Sequence, residues 1–232
     1  MILYGRNPVR EALRAGRRQI AALWATEKAA REPWLRDRHD VRIAGAEGLT
    51  RVCGTPEHQG VCADAGGYPY VGAAELLAGT DPFIVALDEL QDPQNLGAIC
   101  RSAECTGATG VVICERRAAA VTPAVAKASA GAVEHLRIAR VRNLADFLGD
   151  AKAAGCWCYG ADAQASAGYD EPNYSGGVVL VMGAEGAGLR PRVAQSCDAL
   201  VSLPMRGQVG SLNASAAAAV LMYGILQRRP RA

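Results

Sequence analysis

The feature that most constrains the fold is the alternation of apolar runs with helix-like segments after residue 82. Phe83–Leu87, Gly110–Cys114 and Val178–Met182 are continuous apolar runs, as expected of strands buried on both faces. Helix-like segments lie between them, as at Leu96–Thr106 and Leu144–Ala154. This order predicts an α/β fold with a parallel sheet and helices on both of its faces. Because aromatic residues form only 5% of the chain, its core must consist mainly of aliphatic side chains.

The first 66 residues have an α/β pattern of their own. A helix is predicted after Tyr4, with Asn7 as its N-cap and Gly16 at its end. A second helix is predicted at Lys28–Arg38, and the region closes with a strand that reaches Asp64. A turn-rich segment follows. The expected boundaries are 1–66 for a small α/β domain, 67–80 for a linker and 81–232 for the larger domain.

The charge distribution leaves the type of partner open. The net charge of +2 does not by itself indicate nucleic acid, but arginines are concentrated in residues 1–42 and at Arg228, Arg229 and Arg231. Such local patches can bind phosphate in a nearly neutral protein. The simpler interpretation of the charge alone is a set of solvated arginines on amphipathic helices.

The cysteines and the apolar runs limit the cellular compartments in which the protein is expected. None of the eight cysteines forms a CxxC pair, and none of the three histidines has ligand spacing to a cysteine pair, so no metal site is expected. A signal peptide is not apparent, and no apolar run reaches the roughly 18 to 20 residues of a membrane span. We therefore expect a reduced, cytoplasmic protein without a membrane partner.

Ligands of parallel α/β sheets bind at the carboxyl ends of strands, which directs attention to the loops after Leu87, Met182 and Leu203. The first of these loops leads to Asn95 and Arg101. Taken alone, Asn95 is interpreted as a helix cap and Arg101 as a surface residue. However, the helix is otherwise small and apolar, and an arginine there suits an anionic partner.

The second loop, residues 183–188, contains three glycines that allow a backbone to approach a ligand closely. Its GxxGxG spacing and its late position in the chain argue against a dinucleotide-binding site, which needs GxGxxG near the start of the fold. Glu185 is the notable residue, because a carboxylate in a tight loop usually binds a partner.

The third loop leads from Leu203 to Ser215 and enters a helix predicted at Ala214–Gln227. Ser211 and Asn213 fit the pattern of a helix cap, and they also suit the binding of a polar small molecule. The small side chains of Ala214–Ala219 predict a tight helix crossing or a subunit interface.

Together, the segments from Asn95 to Arg101, from Gly183 to Leu189 and from Leu203 to Ser215 resemble the three motifs of the SpoU/TrmH family of RNA 2′-O-ribose methyltransferases. They occur in the same order over roughly 120 residues. The region from Tyr4 to Gly60 is similar to the family's L30e-like substrate-binding domain. The segment from Lys127 to His135 resembles the subgroup that methylates a guanosine ribose in bacterial 23S rRNA.

The resemblance implies a deep trefoil knot in the C-terminal domain, S-adenosylmethionine (SAM) as cofactor, a homodimer formed through that domain, and 23S rRNA held by the N-terminal domain and the basic patches. Arg101 is implied as the catalytic residue, assisted by Asn95, Glu185, Ser211 and Asn213. Since a guanidinium resists deprotonation, we expect Arg101 to bind phosphate or hydroxyl and to stabilise the developing alkoxide rather than act as the base. The implied cofactor-binding residues are Gly183, Gly188, Leu203, Met205 and Leu212.

Three alternatives remain at the level of the sequence. A tRNA ribose methyltransferase shares the motifs, and so does an rRNA methyltransferase that confers antibiotic resistance. A non-catalytic RNA-binding factor of ribosome assembly is the third, although the complete set of motif residues argues against it.

Overall fold

The computed structural model describes residues 1–229, and within them the strands form two separate sheets. Arg231, part of the predicted basic C-terminus, lies outside the described residues. No helix among residues 1–229 is long and apolar enough to cross a lipid bilayer.

The N-terminal sheet has four strands in the order β1-β4-β2-β3. β4 pairs antiparallel with β1 and β2, whereas β2 and β3 are parallel. The strands are β1 (Ile2–Tyr4), β2 (Ala22–Ala25), β3 (Val41–Ile43) and β4 (Val61–Asp64), with helices α1 (Arg6–Ala15), α2 (Glu27–Ala30) and α3 (Ala46–Cys53).

The second sheet has seven strands in the order β7-β6-β5-β10-β8-β11-β9, and every neighbouring pair is parallel. The strands are β5 (Phe83–Leu87), β6 (Gly110–Cys114), β7 (Ile138–Val141), β8 (Trp157–Ala161), β9 (Ala167–Gly168), β10 (Val178–Met182) and β11 (Ala199–Ser202). The helices are α4 (Ala73–Leu77), α5 (Pro93–Cys105), α6 (Pro123–Ala128), α7 (Leu144–Ala153), α8 (Pro191–Ser196) and α9 (Ala214–Arg228).

Helices cover both faces of this sheet, and successive residues of its central strands therefore pack in different hydrophobic cores. Val85 and Leu87 of β5 pack in one core with Leu221 of α9. Ile84 of the same strand packs in a second core with Phe147 of α7. β5, β6 and β10 are buried along their whole length, which explains their continuous apolar sequences. The predicted parallel α/β architecture is confirmed.

Some local predictions were wrong. Helix α1 begins at Arg6, and Gly5 rather than Asn7 occupies its N-cap with φ 95°. The helix predicted at Lys28–Arg38 ends at Ala30, because Pro33 lacks an N–H and restricts the residue before it. The short strands β1 and β9 have two or three residues each, too few for a periodic signal.

Polar contacts, including one buried ion pair, join the N-terminal sheet unit to the larger one. Arg18 pairs with Glu134 at 2.7 Å, and both side chains are only 1% exposed. The neighbouring Arg17 donates hydrogen bonds to the carbonyl oxygens of Glu134 and Leu136. Lys127 donates to the carbonyl oxygen of Glu57 at 3.1 Å. The two units are therefore held together by specific contacts. The domain boundaries expected from the sequence stay a prediction.

Glu134→Ala should lower the free energy of unfolding by about 3–5 kcal/mol, because it leaves the Arg18 guanidinium buried without its carboxylate. Asp146→Ala is the matched control, since it breaks the Arg192–Asp146 pair, whose side chains are 74% and 64% exposed. That control should cost about 1 kcal/mol or less. Urea denaturation followed by circular dichroism measures both values. Equal losses in the two variants would contradict a structural role for the buried pair.

Candidate active site

Asp88 ties the loop after β5 to the loop after β10. Its carboxylate is buried and accepts hydrogen bonds from the backbone N–H and the Nε of Arg190, both at 2.8 Å. The hydrogen bond to Asp88 raises the pKa of Arg190 above its usual value. Glu89 accepts from the same guanidinium at 2.9 Å. The sequence analysis missed this pair, although the position of Asp88 directly after a buried strand was the available signal.

The start of helix α5 leaves the Asn95 side chain free for a distant partner. Asp92, not Asn95, caps the helix and accepts hydrogen bonds from the backbone N–H groups of Gln94 and Asn95, each at 3.1 Å. Pro93 occupies the first helical position. The interpretation of Asn95 as a helix cap is therefore wrong, and its 5% exposed side chain points to the loop after β10.

The Glu185 carboxylate joins all three predicted loops. Its Oε1 accepts hydrogen bonds from Nδ2 of Asn95 and from Nδ2 of Asn213, both at 2.7 Å. Asn213 also caps helix α9, because its Oδ1 accepts from the backbone N–H of Ser215 at 2.9 Å and from the Ser215 hydroxyl at 2.6 Å. The cap and the contact with Glu185 use opposite ends of one amide, so both interpretations of Asn213 hold together.

A cavity of about 630 Å³ lies beside this junction, a size typical of sites for small molecules. It opens at the carboxyl end of the sheet, between the loops that follow β8, β10 and β11. The predicted residues that line it are Gly183, Glu185, Gly188, Leu203, Met205, Ser211, Leu212 and Asn213.

The glycine loop gives the cavity its shape. Ala184 and Gly188 form a pair of backbone hydrogen bonds at 3.1 and 3.0 Å, and Gly186 and Gly188 have φ values of 73° and 66°. A Cβ atom on Gly183 would overlap the backbone of Gly188. The side chains of Met205 and Leu212, 38% and 46% exposed, add an apolar part to the cavity. The cavity thus combines backbone polar groups, the carboxylates of Asp162 and Glu185, and apolar surface.

Arg101 lies elsewhere on the same chain. It is exposed, and it lines a second cleft of about 470 Å³ between α1, α5 and the segment 129–135. The two cavities share no lining residue. Within one chain, the structure therefore brings Asn95, Glu185 and Asn213 together and leaves Arg101 outside their cavity.

Sequence models of known families match both parts of the chain. The model of the SpoU rRNA Methylase family matches residues 82–223, which include the three loops around Glu185. The chain belongs to this family. A second model, described as RNA 2′-O ribose methyltransferase substrate binding, matches residues 2–71. The family resemblance inferred from the loops is confirmed, and with it the assignment of an RNA methyltransferase.

Individual relatives agree with this family. YacO of Bacillus subtilis, named as a TrmH family tRNA/rRNA methyltransferase, is 39% identical over 97% of this chain and 94% of its own length. The AdoMet-bound rRNA methyltransferase of Sinorhizobium meliloti has a similar structure, with a TM-score of 0.81, 27% identity and coverage of 97% of this chain and 86% of its own. The TrmH/SpoU tRNA modifying enzyme of A. aeolicus shares the fold over only 67% of this chain and 80% of its own, with a TM-score of 0.58 and 24% identity.

Gly183→Ala should weaken SAM binding to the 630 Å³ cavity, because the added methyl group overlaps Gly188 and forces the loop open. Gly207→Ala is the matched control in the neighbouring loop, where a Cβ meets no atom within 4 Å. Calorimetric titration with SAM measures the effect. We expect a loss of at least roughly tenfold in affinity for Gly183→Ala, or about 1.4 kcal/mol, and little change for the control. Unchanged affinity in both variants would separate the glycine loop from cofactor binding.

Proposed function

We propose that this SpoU family member transfers a methyl group from SAM to the 2′-hydroxyl of a ribose, that of a guanosine, in 23S rRNA. The observation that carries the proposal is the Asn95–Glu185–Asn213 junction beside a cavity at the carboxyl end of the sheet. The whole-chain likeness to a structure of an rRNA methyltransferase supports rRNA over tRNA. The tRNA modifying enzyme matches only two thirds of the chain, so the N-terminal unit is the part that favours a larger RNA.

The cavity residues fit SAM. The backbone of the glycine loop supplies donors and acceptors at close range, and Leu203, Met205 and Leu212 supply apolar surface for a planar base. The bound cofactor would supply an electrophilic methyl group on a sulfonium leaving group. Transfer of that methyl group would form a C–O bond at the ribose 2′-oxygen as the C–S bond breaks, leaving the electron pair on sulfur and releasing the hydroxyl proton to solvent.

The protein's part in this reaction is positioning and electrostatic stabilisation. Glu185 fixes the two asparagines and thereby the three loops beside the cavity. Arg101 provides a permanent cation that binds the substrate phosphate or stabilises the developing alkoxide. Ser211, which lines the cavity, is placed to orient the ribose or the cofactor.

We further propose a homodimer formed through α9. This helix buries Leu221 and Ile225 against the core, yet it exposes Val220, Tyr223 and Leu226 by 46%, 47% and 42%. The exposed apolar stripe suits a second copy of the chain, because Asn213, the N-cap of α9, lines the proposed cofactor cavity and α9 packs along α5, which carries Arg101. An active site shared between subunits accounts for the separation of Arg101 from the cavity of its own chain.

The domain plan and the knot are part of the same proposal. A small RNA-binding domain of residues 1–66, a linker of 67–80 and a methyltransferase domain of 81–232 agree with the two sheets and the two family models. β10 lies between β5 and β8, a non-consecutive strand order that is compatible with a trefoil-knotted chain.

Transfer of tritiated methyl groups from SAM to unmethylated 23S rRNA and to tRNA tests the proposed reaction. We expect label on a ribose of 23S rRNA, located by nuclease mapping. Arg101→Ala should reduce transfer by roughly 100-fold or more while SAM affinity stays within about twofold, because the arginine stabilises charge only during the reaction. Label on a base or only on tRNA would overturn the substrate assignment. Failure to bind SAM would instead favour a non-catalytic RNA-binding role.

Mixing two inactive variants tests the shared site. Arg101→Ala and Glu185→Ala homodimers should each be inactive. In a co-expressed and co-purified heterodimer, one of the two sites combines the intact Glu185 of one chain with the intact Arg101 of the other, and the second site lacks both residues. The heterodimer should therefore have about one functional site in two. Co-expressed variants that both carry Glu185→Ala serve as the control and should remain inactive. Heterodimers as inactive as this control would show that one chain supplies both residues. Light scattering on the wild type would give the mass of a dimer.

A further inference from the structure

The second cleft is built at the junction of the N-terminal unit and the larger sheet unit, away from the cavity proposed for SAM. Helix α1 forms one wall and helix α5 the other, and the segment from Ser129 to His135 forms the floor. Its charged residues are Arg10, Glu11, Arg14, Arg101 and Glu104, and His135 lies among them.

Close backbone packing fixes the shape of this cleft. A Cβ atom on Gly97 of α5 would overlap Ala128 and lie 2.9 Å from the backbone nitrogen of Ser129, so α5 and α6 must touch there. Gly131 has a φ of 88°, and a Cβ at this position would lie 2.8 Å from the Cβ of Glu11. The floor segment is therefore held directly against both walls.

Glu11 organises the cations on the α1 side. Its carboxylate accepts hydrogen bonds from Nε of Arg10 at 2.9 Å and from Nη1 of Arg14 at 3.2 Å, and it lies 3.0 Å from Nε2 of His135. Burial favours the neutral acid, but the hydrogen bonds from His135 and Arg10 and the nearby charges of the two arginines hold the pKa of Glu11 below its ordinary value. Glu11 is thus an anion that orients the arginines.

The surface offered to a ligand carries more positive than negative charge, because Arg10, Arg14 and Arg101 line it together with one exposed carboxylate, Glu104. The side chain of Glu11 is only 11% exposed, whereas those of Arg10 and Arg14 are 42% and 68% exposed. Arg10 and Arg14 lie one helical turn apart, about 6 Å along the axis of α1. Among residues 1–229, Arg101 on the opposite wall has no carboxylate within 4.0 Å. Guanidinium groups in this arrangement match the geometry of phosphate oxygens.

We infer that this cleft binds the phosphodiester backbone of the RNA substrate, with Arg10 and Arg14 holding phosphates next to the nucleotide that Arg101 engages. The inference rests on the proposed function for the identity of the RNA. It adds a site on α1 that holds the strand in register by its backbone, without reading its bases. Such contacts release counterions, so each makes RNA affinity more sensitive to salt.

The test compares the double variant Arg10→Ala/Arg14→Ala with the double variant Arg36→Ala/Arg51→Ala. The control removes the same charge from exposed positions of the N-terminal unit outside the cleft. The affinity of each for unmethylated 23S rRNA is measured over a series of salt concentrations. The slope of log K, where K is the association constant for RNA, against log salt is negative. Its magnitude should decrease by about 1.4–1.8 for the cleft variant, which is about 0.7–0.9 for each lost phosphate contact, and should stay unchanged for the control.

Turnover and folding measurements complete the test. The cleft variant should raise KM for rRNA by roughly tenfold with kcat within about twofold, and SAM affinity should not change. The side chain of Arg14 is mostly exposed, so Arg14→Ala alone should not prevent folding. This variant should decrease the magnitude of the salt slope by about 0.7–0.9. A cleft variant with the slope and KM of the control would overturn the inference while leaving the proposed function intact. A wild-type protein that neither binds nor methylates 23S rRNA would instead overturn the proposed function.

Discussion

The arrangement of the site depends on one carboxylate that accepts two amide hydrogen bonds. Glu185 lies in a glycine-rich loop, and its oxygen receives Nδ2 of Asn95 and Nδ2 of Asn213 at equal distances. These three residues follow three different strands and are up to 118 positions apart in the sequence. Charge-assisted hydrogen bonds of this kind are stronger than neutral ones, so a single anion can fix three loops that the strands only bring near one another.

The contacts between Asp88 and Arg190 also hold the glycine loop in place. The Asp88 carboxylate accepts hydrogen bonds from both the backbone N–H and the side chain of Arg190. Arg190 lies just after the glycine loop, so these contacts fix the C-terminal end of that loop. The Gly183 backbone then packs directly on Gly188. The polar contacts hold the ends of the loop, and the glycine contact sets its internal shape. The cavity beside the loop is the space that remains.

The sequence predicted the parallel sheet because buried strands such as β5 and β10 are apolar without interruption, and this pattern depends only on local composition. The resemblance of its three loops to the family's motifs also implied that Asn95, Glu185 and Asn213 share a site, and all three residues follow strand ends. The sequence could not show that Arg101 faces a different cleft, since the direction of a side chain on α5 depends on how α6 and α9 pack against that helix. The Asp88–Arg190 and Arg18–Glu134 pairs were missed for the same reason, because their partners are more than 100 residues apart.

Asn213 has a further consequence that concerns thermodynamic linkage. One end of its amide holds Glu185, and the other end caps α9, the helix with the exposed apolar stripe. A ligand that stabilises the loops around Glu185 would therefore also stabilise the first turn of the helix proposed to carry the subunit contact. Because coupling between two binding equilibria is reciprocal, subunit association would strengthen ligand binding by the same factor. In such a protein, cofactor occupancy and oligomeric state would form one coupled equilibrium.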